Sequence, residues 1–151
     1  MRRILAAVDG SEPALRAVDF AARLASETGA ELVILTATEE MLIGDKALRE
    51  FARSEHLATA WGDLSEARAQ EILITAHERA AAKDKLRVRT EWRTGNPKEV
   101  IARFAKDEAC DLIVVGHAGR SRIVGVVLGS VAFKLVTAAP CPVTVVGPPG
   151  G

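Results

Sequence analysis

The chain has no tyrosine, and only two tryptophans and four phenylalanines among its 151 residues. It therefore has little material for the flat aromatic faces on which single-stranded nucleic acid stacks. It has no surplus of charge either. Twenty Lys+Arg stand against 20 Asp+Glu, which removes the broad basic footprint of a nucleic-acid or anionic-membrane binder and leaves room for a local patch only. Cysteine is limited to Cys110 and Cys141. No CxxC pair is present, so cysteine redox catalysis and thiolate metal ligation have no motif behind them, and two reduced, packed thiols are expected. Long apolar runs are missing as well. The longest uncharged one, Ile123 to Phe133, holds two glycines and a serine and falls well short of the roughly 20 residues that span a bilayer. The amino-terminal run Ile4 to Val8 meets Asp9 with no small-residue cleavage context. No export signal or membrane span is expected, and a cytoplasmic location is.

What remains is 48% apolar and 26% charged, ordinary values for a globular chain. At about 150 residues per domain the length predicts one domain over 1–151, with a core of Val, Leu, Ile and Ala. Arg3 to Val8 is an apolar run stopped by Asp9-Gly10-Ser11, a buried strand ending in a turn. Glu12 to Thr28 carries Leu15, Val18, Ala22 and Ala25 at helical spacing, with Ser11 as N-cap and Gly29 past the end. Glu31 to Thr36 is again β-rich, so the three segments predict a right-handed βαβ unit with parallel strands, covered on both faces.

Thr38 to Gly62 is weakly periodic and reads as a surface excursion with a short helix. A helix over Asp63 to Lys83 follows, with Leu64, Ala67, Ile72, Ala76 and Ala80 inward. Val88, Thr90 and Trp92 alternate with charged residues, as in an edge strand. Asn96 and Pro97 open a helix with Val100, Ile101 and Phe104 inward, Leu112 to Val115 is a buried strand ending at Gly116, and Gly129 to about Ala138 is helical. Val143 to Val146 is a last short strand. This is an α/β pattern of five strands and about four helices. A doubly wound parallel sheet binds ligands outside the carboxyl ends of its strands, where the winding reverses. If that point lies between strands one and four, the loops that matter are Asp9 to Ser11 and Gly116 to Ser130.

Those loops carry the most distinctive residues. Gly116 and Gly119 follow strand four, and Gly129-Ser130 opens a helix. Glycine permits φ > 0 or close approach to a ligand, and a helix amino terminus offers free N–H groups and a positive dipole end. Together they suit an anion, phosphate first, with the Ser130 hydroxyl as an added donor. Asp9 on the facing strand end supplies a carboxylate able to accept from ribose hydroxyls. A nucleotide would bridge the two loops.

Ile4 to Ser11 (ILAAVDGS), Gly95-Asn96-Pro97, Asp111 to Gly116 (DLIVVG), the pattern G-x2-G-x9-G-S, and Cys141-Pro142-Val143 together resemble the universal stress protein family, in order and at both ends of the chain. The resemblance implies a doubly wound five-stranded parallel sheet of order 3-2-1-4-5 with helices on both faces, adenine nucleotide alpha hydrolase-like, and frequent homodimers. It also implies a subclass, marked by the full glycine pattern, that binds ATP. By that resemblance Gly116, Gly119, Gly129 and Ser130 hold phosphate and Asp9 holds ribose. Ala7, Val8, Ala37 and Val131 line the adenine and phosphate pockets, partly through their backbones. The ligand is ATP or another adenine nucleotide, with or without Mg2+, and the last strand is expected to pair two copies.

Simpler roles stand beside these. Asp9 can cap a turn with Ser11, and the glycines can be turn or packing residues. Arg120, Ser121 and Arg122 either neutralise phosphate or form a solvated loop. His56, His77 and His117 are scattered without an HxxxH pair, so no metal ligand is assigned, and His117 has no partner spaced to make a triad. Neither G-x4-G-K-[ST] nor G-x-G-x-x-G occurs, which disfavours a P-loop NTPase or a dinucleotide-dependent dehydrogenase. Three classes of function stay open: a nucleotide-responsive switch or binding module, a slow ATP-hydrolysing enzyme relying on Arg120, Arg122 or a metal ion, and a nucleotide-free interaction dimer.

Overall fold

Strand β1, Arg3–Val8, is buried almost throughout because its side chains alternate between two apolar layers. Ile4, Ala6 and Val8 enter one layer, and Leu5 and Ala7 the other. A strand covered on both faces reads as an unbroken apolar run. The computed structural model describes residues 1–39, 57–119 and 128–149, with the backbone alone over 57–63. It sets β1 at the centre of a five-stranded parallel sheet of order β3-β2-β1-β4-β5, as expected. The other strands are β2 (Glu31–Thr38), β3 (Val88–Thr94), β4 (Leu112–Gly116) and β5 (Val143–Val146). Helices α1 (Glu12–Thr28), α2 (Leu57–Ala80), α3 (Pro97–Asp107) and α4 (Ser130–Ala138) divide between the faces. α1 and α2 pack on Ile4, Ile34 and Val114. α3 and α4 pack on Leu5, Val33 and Ile113.

Local chemistry sets the helix ends. The Ser11 hydroxyl accepts from the Ala14 N–H at 3.3 Å, and α1 stops where Gly29 takes φ 78° and donates its N–H to the Ala25 carbonyl. Asn96 caps α3 by accepting from the Lys98 N–H at 3.0 Å. The buried face of α1 is mostly alanine, with Ala14, Ala17, Ala21, Ala22 and Ala25 beside Val18. At the other end of the sheet, the Asp111 carboxylate accepts the Arg2 and Arg3 N–H groups at 2.6 and 3.0 Å, which ties β4 to β1 and holds that carboxyl below its ordinary value. Glu31 and Glu108 each pair with both Arg3 and Arg89, linking three strands to the residue that ends α3.

Three boundaries differ from expectation. β2 runs on to Thr38 because Ala37 and Thr38 stay in register with Arg93 and Thr94 of β3. α2 begins at Leu57 instead of Asp63 and ends at Ala80, so its start takes up the end of the expected excursion, whose proposed short helix lies outside the described residues. The inward face of α2 is Ala69, Ile72, Leu73, Ala76 and Ala80. Leu64 and Ala67 are exposed, and Leu64 lines a cavity instead of the core. Among the described residues no helix is long and apolar enough to cross a membrane.

Cys110 and Cys141 are both free and belong to one apolar cluster. Burial pushes the Cys110 thiol up from an ordinary 9.0 to about 11, and Cys141 shifts the same way. The native state thus keeps a proton that the unfolded chain releases above about pH 9. Stability should fall from pH 9 to 11, with a contribution from Cys110 of at most about 1.4 kcal/mol per pH unit. Urea midpoints measured across that range should show a shallower decline in Cys110→Ala than in the parent.

Candidate functional site

β1 and β4 are neighbours, yet the chain leaves β1 for one face of the sheet and β4 for the other, since α1 and α4 lie in opposite layers. The loops diverge and a crevice opens between them, which makes this the class of doubly wound α/β protein that takes a ligand at the strand-order switch. A cavity of about 710 Å³ occupies that place, within the roughly 300–1,000 Å³ of small-molecule sites.

The structure gathers nearly all of the expected site residues around it. Ala7, Val8 and Asp9 come from the end of β1, and Ala37 from the end of β2. Gly116 and Gly119 come from β4 and its loop, and Gly129, Ser130 and Val131 from the start of α4. Arg120 lies outside the described residues, as do Ser121, Arg122 and Gly125.

Asp9 has a structural task as well as a place at the cavity. Its Oδ1 accepts from the Ser11 N–H at 2.9 Å, holding the turn into α1. The helix cap is Ser11, not Asp9. A side chain at Gly119 would begin 2.9 Å from Asp9 Oδ2, so the two loops meet across this carboxylate. The Val8 carbonyl accepts the Thr36 hydroxyl at 2.8 Å.

The motif glycines act through closeness to their neighbours, backbone at Gly116 and Gly129 and the Asp9 carboxylate at Gly119, and not through left-handed torsions. Among the described glycines, positive φ occurs at Gly10, Gly29 and Gly95. At Gly116 a Cβ would sit 2.7 Å from the backbone C and O of Pro13, so glycine here lets the end of β4 lie against the first turn of α1. Gly129 is extended, at φ −66° and ψ 160°, and caps α4 without any side-chain hydrogen bond. The first N–H groups of α4 therefore have no side-chain cap. Gly129 donates its own N–H to the His117 carbonyl at 2.7 Å, and His117 donates to the Val146 carbonyl at 3.0 Å. His117 thus closes the loop by backbone bonds and is not among the cavity's lining residues.

Some residues of the wall had no motif to reveal them. Thr36 reads as an ordinary strand residue, while Ser65 and Arg68 read as the solvated face of a helix, yet all three line the cavity. Pro97 and Ile101 also contribute, positioned by the Asn96 cap. Thr38, another lining residue, accepts the Trp92 indole N–H at 2.7 Å.

Comparison with known proteins agrees with this geometry. A family model described as the Universal stress protein family matches residues 1–147, and the chain belongs to that family. Universal stress protein YxiE of Bacillus subtilis (strain 168) is 34% identical over 145 residues, covering 95% of this chain and 97% of that protein. The solved structure of universal stress protein UspA from Lactobacillus plantarum superposes with a TM-score of 0.83 at 28% identity, over 96% of this chain and 97% of that one. A universal stress protein solved in complex with cAMP superposes with a TM-score of 0.71 at 29% identity, over 96% of each chain.

The contact at Gly116 yields a test of packing separate from binding. Gly116→Ala should destabilise the fold by about 1–3 kcal/mol, because its methyl group overlaps backbone that cannot rotate away. Gly29→Ala meets open space and should cost only about 1–2 kcal/mol through its positive φ. Urea denaturation of both variants checks the first value. A Gly116→Ala variant as stable as the parent would mean that β4 and α1 are not this close.

Proposed function

We propose that the protein is a single-domain, cytoplasmic, adenine-nucleotide-binding universal stress protein that works as a nucleotide-responsive switch or binding module, with ATP, alone or with Mg2+, as its ligand. One observation carries this reading: Gly116, Gly119, Gly129 and Ser130, the complete glycine pattern, border the same cavity as Asp9. The cAMP complex of a 29% identical relative supports an adenine nucleotide as the occupant.

The roles follow from the chemistry of the wall. The N–H groups at the start of α4 and the Ser130 hydroxyl would bind phosphate oxygens, with the helix dipole adding attraction. The Asp9 carboxylate would accept from ribose hydroxyls. Ala7, Val8, Ala37 and Val131 would enclose the base and sugar, with Pro97 and Ile101 extending that apolar surface. None of this requires cleavage of the nucleotide. Turnover should be slow at most, since the loops supply groups that cradle phosphate while the sequence carries no P-loop lysine motif. Half-buried β5 is the outer strand on its side of the sheet. On α4, which packs on β5, Phe133 and Val136 are exposed, and a second copy pairing along β5 would cover both.

Protein purified, denatured and extracted should release an adenine nucleotide identifiable by mass spectrometry. In calorimetric titration with ATP, Asp9→Ala should weaken binding roughly 10- to 150-fold, the usual range for losing a charged acceptor. Gly129→Val should abolish it, since a Cβ there already lies 3.3 Å from the Ala118 Cα and a larger group displaces the loop. Full affinity in a folded Gly129→Val variant would place the nucleotide elsewhere. Light scattering should give the mass of a dimer.

A further inference from the structure

The polyanion proposed for the cavity calls for cationic groups in its wall. Among the described residues that line it, Asp9 and Glu39 carry carboxylates and Arg68 is the only cationic side chain. A helix amino terminus supplies only about half a unit of positive charge. Arg68 is thus the described side chain of the wall whose charge suits a triphosphate.

Arg68 projects from α2, the helix on the side of the β1 loop opposite the glycines. Its Nη2 lies 3.3 Å from where a Gly10 Cβ would stand, so the absence of a side chain at Gly10 leaves room for the guanidinium directly beside the Asp9-Gly10-Ser11 turn. Its ion pair with Glu71 is weak. Nη1 is 3.7 Å from Glu71 Oε2, with the two side chains 41% and 72% exposed, and an exposed pair at that distance contributes little. Arg68 and Glu71 also border a second hollow of about 70 Å³ behind the turn. The guanidinium thus stands on the partition between that hollow and the main cavity, held by a contact that a stronger anion would displace.

We infer that Arg68 is a second anion-binding element of the cavity, one that makes it prefer phosphorylated nucleotides over the bare nucleoside. The inference rests on the nucleotide reading above and adds a specificity determinant outside the glycine pattern. Glu71 is the resting partner of Arg68 and competes with the ligand for it. Because the arginine is partly exposed, its effect belongs near the low end of charged hydrogen bonds, about tenfold in affinity.

Titration calorimetry with adenosine, AMP and ATP on the full chain tests this. Arg68→Ala should lose about tenfold in ATP affinity with adenosine affinity unchanged, and Arg68→Lys should recover most of the loss. Glu71→Gln should tighten ATP binding about two- to threefold, an effect that a structural role for Arg68 does not produce. Equal losses for adenosine and ATP in Arg68→Ala, or no loss for ATP, would overturn the assignment while leaving the cavity a nucleotide site. Wild-type protein that takes up none of the three compounds would overturn the nucleotide reading itself, and the role of Arg68 with it.

Discussion

The cavity-bearing end of the molecule depends on β1 being paired on both sides by parallel strands whose connections run to opposite faces. β2 follows through α1 on one layer, while β4 feeds α4 on the other. A right-handed crossover on each side forces the loops after β1 and β4 apart. That opening is a product of topology and needs no particular side chain. Its depth, in contrast, depends on one contact: β4 ends against the backbone of Pro13 because residue 116 has no side chain. A larger residue there would push the β4 loop away from α1 and separate Gly119 from Asp9.

Two kinds of chemistry share the turn after β1. The backbone needs an acceptor for the Ser11 N–H, and Asp9 Oδ1 provides it. The other oxygen stands next to Gly119. One carboxylate therefore orders the entry to α1 and faces the second loop, so the geometry of the site is held by the same bonds that begin the helix. Preorganisation of this sort spares a ligand the cost of ordering the loop. Glu39 and Arg68 reach the same cavity on longer side chains, and there electrostatic adjustment is cheaper.

How far the sequence reveals this depends on how local the responsible physics is. β1, α1, β4 and β5 are legible to within a residue because each has its own punctuation: Asp9-Gly10 after β1, Ser11 and Gly29 around α1, Gly116 after β4, Pro142 before β5. The site residues on those boundaries are legible for the same reason. The end of β2 is not, since Ala37 and Thr38 join the strand only through pairing with Arg93 and Thr94, a contact far away in the chain. α2 is misread at its start because apolar Leu64 and Ala67 look like core, whereas both are exposed. Arg68 escapes notice for a related reason. A charged residue on an amphipathic helix looks solvated, and only the fold brings it to the β1 turn. The sequence does bring three glycines and a serine to one cavity, but it offers a turn torsion or a ligand's approach as the reason for Gly116, where the structure has a neighbouring backbone.

The hydrogen bond from the Trp92 indole to Thr38 gives the molecule an optical property. Indole emission depends on the polarity around the ring and on whether its N–H is bonded, and this ring is fastened to a residue of the cavity wall. Any rearrangement at the end of β2 would be transmitted to a native fluorophore, without a label. With only two tryptophans in the chain, replacing Trp61 with phenylalanine would leave a single emitter. Its spectrum would follow the wall of the site in real time.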